Sequence, residues 1–300
     1  MRAQVIILLI VVLCTIFTGC MEKKKSTGNN EPPHNITIPD RGNYTSIQSA
    51  IDAASEGDTI LVPPGEYQET IFINKSIKLM GCNATIKPNL TQKYSIAIIK
   101  VNADNTIIEG FNITFEGDAK IVLGIDVKSD HVTIQNNTIY GCTYGVYIET
   151  ETNGTVVTHN NIFDNLYGIY MFGGSENAVI FKNNVSNNTQ GIRVKGVRSR
   201  IFENVIYGNN KGVYMCCGSA YNVVYLNNFI NNQINAQDDR HKNEWSFNGT
   251  GNYWYDYTGA DTDGDGIGET PYYIKGSGYR RDNFPLVNPV QIPDAGVVKG

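Results

Sequence analysis

Four stretches decide the fold: Ile134-Gln-Asn-Asn-Thr-Ile-Tyr-Gly-Cys-Thr-Tyr-Gly-Val-Tyr-Ile148, Val157-Thr-His-Asn-Asn-Ile-Phe-Asp-Asn-Leu-Tyr-Gly-Ile-Tyr-Met171, Ile180-Phe-Lys-Asn-Asn-Val-Ser-Asn-Asn-Thr-Gln-Gly-Ile-Arg-Val194 and Ile201-Phe-Glu-Asn-Val-Ile-Tyr-Gly-Asn-Asn-Lys-Gly-Val-Tyr-Met215. They repeat every 21 or 23 residues and align in columns. One column is Ile134, Val157, Ile180, Ile201 and Val224. A second is Ile139, Ile162, Val185, Ile206 and Phe229. A third is Val146, Ile169, Ile192 and Val213, and a fourth is Ile148, Met171, Val194 and Met215. Ile108, Ile113, Ile125 and Val127 supply an earlier coil. Each column is apolar between mostly polar neighbours, the period of strands with one buried face. Strands this short cannot bury that face alone, but stacked coils can, at a rise of about 4.8 Å per coil. The pattern predicts an all-β right-handed parallel β-helix.

Two Asn columns mark turns: Asn137, Asn160, Asn183, Asn204 and Asn227, then Cys142, Asn165, Asn188, Asn209 and Asn232. Stacked amides can bond along the pile, and Asn tolerates the left-handed backbone of tight bends. Gly124, Gly145, Gly168, Gly191 and Gly212 form a third turn column, assigned here to the same conformational need. Cys142 stands in place of an Asn and is expected to be a buried filler.

Working outward, apolar Ile47, Ala50, Ile51 and Ala54 lie at helical spacing within 44–54, predicting a short helix that covers the first coil. Arg2 and the apolar run Val5 to Phe17 form a targeting segment. Its end, Phe17-Thr18-Gly19-Cys20, resembles the lipobox of prokaryotic lipoproteins, which implies lipidation of Cys20 and membrane attachment. An ordinary cleaved signal and a retained anchor are the other readings. All three place the remainder outside the cytoplasm. The expected organisation is 1–20 targeting segment, 21–36 polar tether, 37–243 β-helix and 244–300 C-terminal cap. Lys and Arg number 24 against 29 Asp and Glu, a net charge of -5 that argues against nucleic acid as partner. The cysteines show neither disulfide-framework nor zinc spacing. N-x-S/T sequons recur, either as glycan sites or as a by-product of Asn- and Thr-rich strands.

The opening Tyr44-Thr-Ser-Ile-Gln, Gly57-Asp-Thr-Ile-Leu-Val and Gly65-Glu-Tyr is similar to the start of pectate-lyase-like β-helices. The repeats resemble the periplasmic copper-binding (NosD-like) β-helix family. So does the ending, Gly251-Asn-Tyr-Trp-Tyr-Asp256, Asp261-Thr-Asp-Gly-Asp-Gly-Ile-Gly-Glu-Thr-Pro271 and Asp282-Asn-Phe-Pro-Leu286. The resemblance implies the fold and says little of function, because sites rather than folds carry chemistry.

Asp261, Asp263 and Asp265 alternate with turn residues, and Ile267 and Glu269 follow, a spacing that suits oxygen ligation of a structural Ca²⁺. Tyr272 replaces the bidentate Glu of an EF-hand, and an acidic solvated turn is the alternative to Ca²⁺. Tyr147, Tyr170, Arg193 and Tyr214 fall two residues after the turn glycines on the outward side, with Tyr144 and Tyr167 just before theirs. Such a strip could stack sugar rings of a polysaccharide or cell-surface glycan. Alternatively, Tyr simply suits strand surfaces.

No catalytic set emerges. Arg193-Val-Lys195 matches one element of polygalacturonase-like hydrolases, without their paired Asp or Gly-His-Gly, and no carboxylate ladder of a lyase is apparent. Asp238-Asp239-Arg240-His241 sits where the repeat ends and is read as capping. Copper would need converging soft ligands, whereas Met171 and Met215 fall in a core column beside Cys216 and Cys217. The sequence thus favours a lipid-anchored, non-catalytic glycan-binding or structural surface protein, over a polysaccharide lyase or hydrolase and over a copper accessory protein.

Overall fold

The computed structural model describes residues 35–37 and 46–293. It is an all-β parallel solenoid of about eight turns with one short helix among the described residues. A regular coil contributes three strands, as in Thr133–Gln135, Thr138–Tyr140 and Tyr144–Ile148, followed by Val156–Thr158, Asn161–Phe163 and Tyr167–Met171 one coil later. First and second strands share a 16-stranded sheet, and third strands form an 8-stranded sheet.

The register reproduces the expected columns. Ile134 pairs with Val157, then Ile180, Ile201 and Val224. Ile139 through Phe229 pair likewise, and Val146 through Val213 and Ile148 through Met215 line the third strands. All of these side chains are fully buried. A slip of one residue would turn each column to solvent, so the repeat sets its own phase.

The Asn columns are continuous ladders. The backbone N–H and Nδ2 of Asn160 both donate to Asn183 Oδ1 at 3.0 Å, and Nδ2 also donates to the Ile134 carbonyl at 2.9 Å. The same pattern repeats from Asn137 to Asn252 and from Asn165 to Asn232. Cys142 enters its ladder only through its backbone N–H, 3.0 Å from Asn165 Oδ1, and burial pushes its thiol up to about 12. A third ladder, Ala178–Ser199–Asn222–Asn243, runs through residues of mixed type.

Two conformational expectations are corrected. The left-handed residues are those just before the ladder amides: Asn136, His159, Lys182, Glu203 and Leu226, at φ between 52 and 56°. The ladder Asn itself keeps ordinary φ because its amide must point along the stack. Nor does the glycine column adopt positive φ. A Cβ on Gly168 would lie 2.6 Å from the Gly191 carbonyl oxygen and 3.1 Å from Asn188 Nδ2. Glycine is required there by the close approach of successive coils.

The short helix covers the N-terminal end. The helix spans Ile47–Ala53, N-capped by Ser46, and buries Ile47, Ala50 and Ile51. Glu69 accepts the free N–H groups of Ile47 and Gln48 at 2.8 and 3.0 Å. Lys75 Nζ donates to the Ile51, Asp52 and Ala54 carbonyls at 3.1, 2.7 and 2.7 Å. The first coil thereby caps both ends of the helix dipole. Strand Asn35–Thr37 pairs with Thr59–Leu61, so the chain joins the sheet two residues before the boundary expected after residue 36.

At the other end Trp245 and Trp254 are buried. Trp254 stacks between Phe229 and Tyr272, with ring centroids 4.3 and 4.1 Å away. Each indole N–H reaches a buried carboxylate: Trp245 bonds Asp238 and Trp254 bonds Asp282, both at 3.0 Å. The targeting segment, Cys20 and most of the tether lie outside the described residues.

Candidate functional site

The outward column of the eight-stranded sheet reads Phe72, Lys100, Asp126, Tyr147, Tyr170, Arg193, Tyr214 and Gln237. Successive coils thus align all four residues of the expected strip. Parallel strands in register bring equivalent rings together: Tyr144 on Tyr167 at 4.9 Å and Tyr147 on Tyr170 at 5.3 Å. The Arg193 guanidinium lies 4.8 Å over the Tyr214 ring and 5.8 Å over Tyr170. Lys195 Nζ lies 5.4 Å over Tyr170 and 5.2 Å over Phe172, and Lys211 Nζ lies 4.5 Å over Tyr214.

One member of the strip is not available. Tyr170 is only 6% exposed, covered by the long side chains on either side. The accessible elements are Tyr147, Arg193, Lys195, Lys211, Tyr214 and the exposed Phe172 ring. Arg193 donates to Gln190 Oε1 and Cys216 Sγ, at 3.2 and 3.3 Å, while its Nε is buried without a partner. Among the described residues, none of the three cations forms an ion pair with a carboxylate. Aromatic faces hold such cations in part, yet leave their charge open to an anionic ligand.

Burial pushes the Tyr214 phenol up to about 12 and raises that of Tyr147 further. Both therefore remain protonated at neutral pH and act as hydrogen-bond donors or stacking faces, not as bases. Tyr214 Oη donates to Asp239 Oδ2 at 3.0 Å.

Beside Tyr147 the structure assembles Asp126 and Glu149, acidic residues that form no ladder in the sequence, around Lys128. Asp126 is 3% exposed, and its Oδ1 has no partner. Lys128 Nζ stands 3.9 Å from Asp126 Oδ2 and 2.8 Å from Glu149 Oε1. Burial pushes the Asp126 carboxyl up to about 6, against the attraction of Lys128. The alternation of buried and exposed positions was the available signal: Asp126 occupies the outward place that Tyr fills in later coils.

Asp261, Asp263 and Asp265 converge, with one carboxylate oxygen from each within 4.8 Å of the other two. Asp261 accepts the N–H groups of Gly264 and Gly266, at 2.8 and 2.9 Å, and Asp265 accepts that of Ile267 at 2.8 Å. Glu269 does not join the three. Its Oε1 accepts both the N–H and the hydroxyl of Thr262 at 2.7 Å, bonds that lower its pKa. Ile267 bridges to Leu286 and so ties the loop to the cap.

Within the Asp238–His241 cluster, Asp238 is fully buried against Trp245 and Asn243. Among the described residues no group of three His or Cys converges as a copper site. Met171 and Met215 are fully buried in the core column, and Cys216 and Cys217 offer two thiols alone. The one group of three or more His, Cys, Asp or Glu among the described residues is the all-oxygen Asp loop, which suits a hard cation.

Against known proteins, the chain is 36% identical over 107 residues to a cell surface glycoprotein of Methanothermus fervidus. That match covers 34% of this chain and spans only 17% of the glycoprotein's length. Among solved structures, the pectate lyase Pel9A aligns over 75% of each chain with a TM-score of 0.49 and 17% identity. An alginate lyase from Paenibacillus sp. str. FPU-7 aligns over 73% of this chain and 97% of its own, with a TM-score of 0.47 and 14% identity. The family model of the periplasmic copper-binding protein (NosD) matches residues 51–259, most of the solenoid. The chain belongs to the periplasmic copper-binding protein (NosD) family.

Proposed function

We propose that this protein is displayed outside the cytoplasm, attached through a lipid on Cys20, and that its eight-stranded face binds a polysaccharide without cleaving it. The observation that carries the reading is the lane of Tyr147, Arg193, Lys195, Lys211 and Tyr214, in which rings alternate with cations lacking carboxylate partners. Rings on successive coils offer stacking faces to a sugar chain, and the cations favour one bearing carboxylates or sulfates. The protonated phenols and the absence of histidine from this lane favour retention over bond cleavage. The cell-surface relative supports the location. In the same reading Ca²⁺ sits among Asp261, Asp263 and Asp265 with the Ile267 carbonyl, and Glu269 steadies the loop through Thr262.

The test is to pass acidic and neutral polysaccharides over the immobilised ectodomain, measure retention, and weigh soluble products by mass spectrometry. Retention of acidic polymers without new chain ends is expected, and it should weaken at least tenfold in Arg193→Ala or Tyr147→Ala. New oligosaccharides would replace the binding role with a catalytic one, and Asp126 would become the first residue to mutate.

A further inference from the structure

We propose that Cys216 and Cys217 form a reversible vicinal dithiol–disulfide couple, closed by exchange with a disulfide-bearing oxidant. Their Sγ atoms lie 2.7 Å apart, nearer than two unbonded sulfurs rest. Neighbouring coils carry Phe172-Gly173 and Lys195-Gly196 at the equivalent places, so the repeat itself demands no sulfur there. The turn holds the pair: Cys217 takes φ 55° and Gly218 φ 112°. The two thiols differ in access, Cys216 being 3% exposed and Cys217 open to solvent.

The chemistry follows from that asymmetry. The exposed Cys217 thiolate attacks one sulfur of the oxidant R–S–S–R, forming a mixed disulfide and releasing RS⁻. The Cys216 thiolate then attacks Cys217 Sγ and expels the second RS⁻. In sum, two protein thiols and one external disulfide become one protein disulfide and two RSH. Arg193 Nη2 donates to Cys216 Sγ at 3.3 Å and steadies the negative charge that the second step requires. Burial raises the Cys216 pKa and Arg193 opposes that rise, while the exposure of Cys217 gives it the first attack.

Adjacent Cα atoms are about 3.8 Å apart, short of the roughly 4.4–6.8 Å that relaxed disulfides span. A strained and exposed bond is an oxidising, easily reversed one. The pair is therefore a couple and not a staple. Cys142, buried in its ladder, has no such access.

The purified protein is equilibrated in glutathione buffers of graded oxidation, quenched in acid, alkylated and digested for mass spectrometry. The expected result is a peptide holding both cysteines that has lost two hydrogens in oxidising buffers. It should regain two alkylatable thiols at a milder GSH excess than a structural disulfide needs. In Cys216→Ser a glutathione adduct on Cys217 should accumulate; in Cys217→Ser, Cys216 should stay unmodified. Full alkylation of both thiols in oxidised glutathione alone would overturn the proposal. So would a lasting Cys217 adduct in the wild type, pairing with Cys82, or a metal-bridged mass.

Discussion

At the scale of single residues, the solenoid is governed by what one coil allows the next. Gly168 illustrates this, because a methyl group there meets the Gly191 carbonyl at 2.6 Å, a backbone atom that cannot yield without moving a coil. Gly168→Ala should cost about 1–3 kcal/mol, the usual range for overpacking. Gly173→Ala meets nothing within 4 Å and should leave stability within about 0.5 kcal/mol. Urea denaturation of the two variants decides it, and equal midpoints would mean that the stack absorbs a methyl group at Gly168 without cost. The location of this column was legible in the sequence, but its reason was not. Periodicity shows that a position is constrained, whereas only the stacked coils show that a neighbouring carbonyl does the constraining. The left-handed positions escaped for a related reason. His159, Lys182 and Glu203 are ordinary surface residues by type, and they adopt positive φ because the amide after each must enter the ladder. Tyr170 was misplaced because strand alternation gives direction and not depth: it points outward, yet its neighbours fold over it.

At the scale of elements, charged side chains hold each end of the stack. The seven-residue helix is too short to persist alone, and Glu69 and Lys75 hold its two ends from the first coil. Lys75→Met should remove the bonds to three carbonyls and cost about 1 kcal/mol. Amide hydrogen exchange should then quicken across 47–53 while the central coils keep their protection; uniform protection would mean that the helix is held by its apolar face alone. Asp282 makes a pH-dependent contribution at the opposite end. Its burial pushes the carboxyl from the ordinary 3.8 up to about 6, in spite of bonds from Asn252, Trp254 and Phe284. The folded state therefore takes up the proton more readily than the unfolded chain. The resulting stabilisation is complete below about pH 4, is lost as pH rises to about 6, and is absent above. Asp282→Asn should show a smaller difference in melting temperature between pH 4 and pH 7 than the wild type. An unchanged difference would place the titration elsewhere, with Asp126, also pushed up to about 6, as the next residue to test. The third ladder shows where element-level reading stops: Ala178, Ser199, Asn222 and Asn243 share a place in one bonded column, but only the last two share a residue type.

At the scale of the molecule, a stack of coils is only as stable as the closure of its ends, because each coil contacts its neighbours alone. The Asp loop bears on this through a chain of bonds. Gly266 O accepts from Val287, Gly268 N donates to the Pro285 carbonyl, and Leu286 N donates to the Asn252 carbonyl, where the long Asn ladder ends. A cation that neutralises Asp261, Asp263 and Asp265 would therefore act on the last coil through the segment that holds Leu286. The chain contains two tryptophans, Trp245 and Trp254, and both are buried beneath this cap. Their fluorescence reports the C-terminal closure, while far-UV circular dichroism reports the whole solenoid. With Ca²⁺ bound, the two signals should melt together. In chelator the tryptophan transition should move to lower temperature, ahead of the circular dichroism, and Asp263→Asn should reproduce that separation with Ca²⁺ present. If both signals melt together and at the same temperature in chelator, the three aspartates are a solvated turn whose own backbone bonds suffice, and the cap stands on its stacked Phe229, Trp254 and Tyr272.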